Sequence, residues 1–232
     1  GGRGGVRGGH VRVWGRKRRG VTAGMGVCPK GPVTCAHDDH EDDHLVHLRQ
    51  GGLDGACGPY SVVMALVTLG VMSYDEATQM HKWHGNSREG RFRNELRNLG
   101  ALVSEGSSAK DLIRLVECFS GMGVGAEYVV GSKKDIVDQV KKAVDSLCAP
   151  IIGLLWAGGS GHWMMVVGYQ GFEDDECFQI THLLCLDPGS ETPRTSLWNS
   201  VIEVYKDDGS STGSGPLPSI YWGDDGKPQS CR

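Results

Sequence analysis

The spacing of apolar residues changes at Pro150, and no other feature of the chain constrains its fold as much. Upstream, apolar residues recur at helical intervals. In "CGPYSVVMALVTL", residues 57–69, they run almost all round the helix, as in a central, buried one. Pro59 suits its first turn and Gly70 its exit. "SYDEATQMHKWHG" offers a capping box of Ser73 and Glu76, and places His81 and His84 on a helix surface. "SREGRFRNELRNLG" exits at Gly100, and "SSAKDLIRLVECFSG" starts with a second box, Ser108 and Asp111. After the extended piece "AEYVV", the stretch "SKKDIVDQVKKAVDSL" puts Ile136, Val140, Val144 and Leu147 on one face. Downstream of Pro150, "PIIGLLWA", "HWMMVVGYQ" and "CFQITHLLCLD" read as successive strands, the first two joined through "GGSG". "WNSVIEVY" and "SIYW" each add a strand, and "KDDGSSTGSGPLPS" is a loop. Helices followed by antiparallel strands make an α+β fold, with the helical half packed on the sheet.

Residues 1–46 carry no sustained periodicity. "GGRGGVRGGHVRVWGRKRRGVTA" is basic and rich in glycine, and lacks the apolar core of a secretory signal. The run "HDDHEDDH" reads as solvated. Residues 1–46 are therefore expected to be disordered or mis-called, and 47–232 to fold as one domain. No apolar stretch approaches the roughly 20 residues of a membrane span. The net charge of −4 gives no reason to expect nucleic acid as a partner. The eight cysteines are not spaced as a compact disulfide framework. Without a signal segment, reduced thiols in a cytoplasm are the expectation.

One of those cysteines stands apart. In "GACGPYS", Cys57 opens the buried helix. A thiol there feels the positive end of the helix dipole and unpaired backbone N–H groups, which favour the nucleophilic thiolate. The same N–H groups suit an oxyanion, and Gly55 and Gly58 admit a substrate backbone. A thiol nucleophile needs a base. His162 opens the second strand, just after "AGGSG". The base needs an orienting group, and Asp187 ends the third strand in "LLCLDPGS". If the two strands pair as a hairpin through "GYQGFEDDECF", the start of one lies beside the end of the other, and His162 meets Asp187.

"GACGPYSVVMAL", "GHWMMVVGY" and "LDPGS" together resemble the papain-like cysteine peptidases. The likeness runs over about Gln50 to Asp187 and is closest to the branch of bacteriocin-leader-processing, double-glycine peptidases and their stand-alone relatives. It implies a papain-like fold with Cys57 as nucleophile, His162 as general base and acid, and Asp187 as orienter. It also implies a glutamine before the cysteine that helps bind the oxyanion, here Gln50. "QGGLDGAC" is one residue longer between that glutamine and the cysteine than in most of the family. The implied activity is hydrolysis of peptide or isopeptide bonds in a peptide or protein substrate, with no cofactor.

Two other classes share these residues: acyl transfer to an amine, as in transglutaminases, and an inactive domain that holds a peptide in the old cleft. A structural metal is a further alternative for Cys28, Cys35, His37, His40, His44 and His47, although their spacing matches no zinc finger. The serine-hydrolase elbow, Walker and dinucleotide fingerprints are absent.

Overall fold

Helix α1 (Cys57–Thr68) is buried along nearly its whole length. The computed structural model describes residues 8–15, 35–37, 43–50, 55–99, 106–173, 178–194, 196–212 and 218–232. Val62, Met64 and Leu66 are fully buried, each contributing about 1.5–3 kcal/mol by transfer from water. Gly70 closes the helix at φ +65°, a conformation that costs a side-chain-bearing residue. Helices α2 (Tyr74–Thr78) and α4 (Ala109–Glu117) begin at the two expected capping boxes. Between them, α3 (Arg88–Asn98) is capped by Ser87, and the expected exit at Gly100 lies outside the described residues. His81 and His84 are exposed as expected, but on a short 3-10 turn and the loop after it.

Helix α5 (Lys133–Asp145) starts at a third capping box, Ser132 with Asp135. It buries Ile136, Val137, Val140 and Ala143. Leu147 does not join that face, which corrects the sequence reading. The helix stops at Asp145, and Leu147 takes the left-handed conformation at φ 57°. For a leucine this costs roughly 1–2 kcal/mol. It turns the chain directly into the next strand.

The strands are β1 (Gly8–Gly15), β2 (Cys35–His37), β3 (Asp43–Leu45), β4 (Val124–Gly131), β5 (Ala149–Leu155), β6 (Gly161–Glu173), β7 (Phe178–Leu186), β8 (Ser200–Glu203), β9 (Ser219–Trp222) and β10 (Pro228–Cys231). Eight form one antiparallel sheet in the order β10-β9-β8-β7-β6-β5-β1-β4, and β2 pairs with β3. Three of these strands, β1, β2 and β3, fall within residues 1–46, the segment expected to be disordered or mis-called. β1 lies between β4 and β5, with His10 opposite both Val129 and Ile152. Its "HVRVW" alternates apolar and polar residues, the period of a half-buried strand, inside a glycine-rich stretch that hides the pattern.

The sheet curls until its last strand meets the end of β5. The Leu155 N–H donates to the Arg232 carbonyl at 2.8 Å and the Arg232 N–H to Leu155 at 3.0 Å. The curl divides the interior into two cores. Met165, Val167 and Ile151 pack with α1 and α4 on one face. Met164, Val166 and Ile152 pack with α5 on the other. Successive residues of β6 thus point to opposite cores. No helix among the described residues is long and apolar enough to cross a membrane.

Candidate active site

Cys57 is the first residue of α1 and is only 4% exposed. The turn ahead of it is tight: Gly55 has φ +86°. Gly58, the next residue, has no room for a side chain. A Cβ there would stand 2.4 Å from Ser107 Oγ and 3.2 Å from Trp163 Cδ1. That closeness brings β6 against the start of α1, so that the Trp163 N–H points at Cys57 Sγ, 3.4 Å away. The Trp163 ring is pinned through Nε1–H to the Ser107 carbonyl at 2.8 Å.

His162 precedes Trp163 and lies on the other side of the strand, its ring stacked on Trp156 at 6.2 Å between centroids. Its Nε2 is 2.7 Å from Asp187 Oδ1, so the hairpin of β6 and β7 brings together the two residues that the sequence places at its ends. With Nε2 engaged, Nδ1 is the nitrogen left for the thiol. Burial opposes the Cys57 thiolate, but the hydrogen bond and charge of His162, with the N–H groups of Trp163 and Gly58, outweigh it and hold the thiol below its ordinary value. Burial likewise works against a charged His162. Asp187 first, and then Cys57, overcome it and raise the imidazole far above its usual range. The two shifts together favour a thiolate–imidazolium pair at neutral pH.

Asp187 is 3% exposed. Burial would raise its pKa, yet His162, Tyr221 and the Gly189 N–H hold it below the usual carboxylate value. Oδ1 accepts from the Gly189 N–H at 2.6 Å as well as from His162, and Oδ2 accepts from the Tyr221 hydroxyl. Its backbone is gripped too. The Asp187 N–H donates to Asn199 Oδ1 at 2.7 Å, and its carbonyl accepts from Asn199 Nδ2 at 2.8 Å and from His47 Nε2 at 2.9 Å. His47 is buried, its pKa lowered chiefly by that burial. With its Nε2–H donating, its Nδ1 accepts from the Thr192 hydroxyl at 3.0 Å.

Sequence reasoning missed Tyr221, Asn199 and Trp156, and gave His47 to a metal set. No motif marks the first three: Trp156 sits at the turn between β5 and β6, Asn199 just before β8, where it is paired beside the end of β7, and Tyr221 on β9. Of the metal set, Cys28 and His40 lie outside the described residues. Among the described residues no three His, Cys, Asp or Glu side chains cluster as metal ligands.

Gln50 is tied to the same loop from the other side. Its N–H donates to the Pro188 carbonyl at 2.9 Å. Its Oε1 is buried with no hydrogen-bond partner among the described residues. Gln50 thus stands at the Asp187–Pro188 turn, seven positions before Cys57 in the chain. Comparisons of the chain with models of protein families, with curated proteins and with solved structures find no match.

Proposed function

We propose that the chain is a papain-like thiol hydrolase that cleaves peptide or isopeptide bonds through Cys57, His162 and Asp187. The observation that carries this reading is geometric: a buried thiol opens α1 with the Trp163 N–H 3.4 Å from its sulfur, and the neighbouring His162 has its Nε2 2.7 Å from Asp187 Oδ1; the opposite displacement of thiol and imidazole agrees with it. A structural cysteine needs no such partner. The fold reading is supported by a buried helix that opens with the thiol and packs on a curled antiparallel sheet carrying the histidine and the carboxylate.

The Cys57 thiolate attacks the substrate carbonyl carbon, and the oxygen becomes an oxyanion. We assign the oxyanion to backbone N–H groups at the start of α1 and, from the resemblance, to the Gln50 side-chain amide. Collapse of the tetrahedral intermediate breaks the C–N bond, and the imidazolium of His162 gives its proton to the departing amine. The acyl group is left on sulfur as a thioester. Neutral His162 then takes a proton from water, hydroxide adds to the thioester, and Cys57 leaves as thiolate. Asp187 keeps Nε2–H in place, so Nδ1 faces the reaction throughout.

The test compares the new protein N-termini produced from a proteome by the wild type and by Cys57→Ala. Cys57-dependent cleavage sustains the proposal. Product that forms only with an added amine assigns the same triad to acyl transfer. No Cys57-dependent product of either kind refutes it.

A further inference from the structure

A groove of about 1040 Å³ opens beside the nucleophile. Ala56, Pro59 and Tyr60, on either side of Cys57 in the chain, form one wall, and His47 and Thr192 bring it to the loop that holds Asp187. Its floor is apolar: Val63 of α1, Ala77, Met80, and Leu96 of α3. Its charged lining has one sign. Arg49, Arg93 and Arg97 border it, as does His81, and no Asp or Glu is among the described lining residues. This runs against the net charge of −4.

The three arginines are not equally occupied. Arg49 pairs with Glu191 at 2.8 Å, but both side chains are more than half exposed, so the pair is weak. Arg93 donates to the Trp83 carbonyl at 2.8 Å and contacts His84. The Arg97 side chain has no hydrogen bond or ion pair to any described residue. A guanidinium in that position, over an apolar floor, suits a ligand that brings both a carboxylate and an aliphatic side chain.

We infer that the groove beside Cys57 binds an acidic peptide segment of the substrate, with its carboxylates on Arg97, Arg93 and Arg49 and an aliphatic side chain on Val63, Met80 and Leu96. The inference rests on the hydrolase reading for the word substrate, but not for the binding itself. Charge complementarity selects the occupant: a basic peptide would place like charges against the same arginines.

The test measures binding to the full chain carrying Cys57→Ala, so that no cleavage intervenes. Fluorescent peptides of Glu, Leu and Ala are compared with counterparts in which Lys replaces Glu. At low salt the Glu peptide binds tighter by about tenfold, and the gap closes at high salt, as expected for a few partly exposed charge pairs. Arg97→Glu narrows or reverses the preference, and its gain of the Lys peptide shows that the chain still folds. Arg97→Gln gives a loss of about two- to threefold for the Glu peptide without the reversal. Equal binding of the two peptides, binding of neither, or a preference unmoved by both variants overturns the inference. A wild type that binds the Glu peptide but produces no Cys57-dependent cleavage leaves the groove standing and removes the hydrolase reading. Cleavage without charge preference does the reverse.

Discussion

Cys57 and Cys185 are both buried, and their environments push their thiols in opposite directions. Cys57 opens α1; Cys185 sits near the end of β7, two positions before Asp187. They are 4% and 0% exposed. Burial pushes both thiols up. At Cys57 the imidazole of His162 reverses that push. At Cys185 the neighbouring charges are Asp187 and Cys231, which add to it, so the thiol is raised well above its ordinary value. The direction in which a buried thiol is shifted is thus set by the sign of the charge beside it, not by its depth.

The comparison breaks most sharply at His162. In His162→Ala the burial of Cys57 is unopposed by its main partner, and its thiol should move toward the behaviour of Cys185. Loss of the base should lower kcat/KM by about 10³-fold or more, as removal of a triad member does. The alkylation rate of Cys57 at neutral pH should fall with it, read by mass spectrometry of the two cysteine peptides after iodoacetamide. Unchanged alkylation of Cys57 in this variant would mean that His162 does not set the thiol.

The pH dependence sharpens the same contrast. The Cys57 pKa is lowered, so thiolate forms on the acid side of 9.0, and the alkylation rate should rise through a midpoint below that value. Turnover should follow the same acid limb. It should then fall on the alkaline side as His162 loses its proton, at a pH far above the ordinary 6.5, because the imidazole is raised. The two limbs belong to the coupled pair rather than to either residue alone. Native Cys185 should stay unlabelled across the range and react only after unfolding. An alkaline limb at ordinary imidazole pH would remove the ion pair.

Much of this was legible in the chain, for reasons that differ by element. α1, α2, α4 and α5 are local objects: apolar spacing and a glycine exit write α1, and a capping box starts each of α2, α4 and α5. The β6–β7 hairpin was legible because one short connection forces its ends together, and with it the meeting of His162 and Asp187. β1 was not, since a strand that inserts between β4 and β5 has no local partner to announce it. Tyr221 stayed hidden for a related reason, since it arrives from β9, two strands away from β7; Asn199 comes with the pairing of β8 on β7, whose register the sequence does not announce. His47 looked like a metal ligand among its sequence neighbours, and long-range contacts make it a clamp on the Asp187 carbonyl instead.

Tyr221→Phe makes a smaller break. It removes one donor from Asp187 Oδ2 and leaves the His162 and Gly189 contacts on Oδ1. A hydrogen bond to a charged group contributes about 1.5–3 kcal/mol, but the phenol acts on the reaction only through the carboxylate. A loss of about tenfold in kcat/KM is expected. The distinguishing readout is the alkaline limb of the pH profile, which should move toward lower pH because a less well held Asp187 raises His162 less. A purely structural role for Tyr221 would change stability and leave that limb in place.

The smallest effect belongs to the other cysteine. Cys185→Ala removes a sulfur from the core beneath α5, where Cys185 packs with Leu183, Met164 and Cys231. The cavity should cost about 1–2 kcal/mol in denaturant unfolding. It should leave turnover and Cys57 labelling unchanged. A thiol raised well above its ordinary value is neutral at working pH, so deleting it removes no charge from the neighbourhood of Asp187. The hydrogen bonds that orient that carboxylate come from His162, Gly189 and Tyr221, none of them from Cys185. Slower alkylation of Cys57 in this variant would show instead that packing behind β7 positions Asp187. The two cysteines would then belong to one mechanism, and the contrast between them would fail.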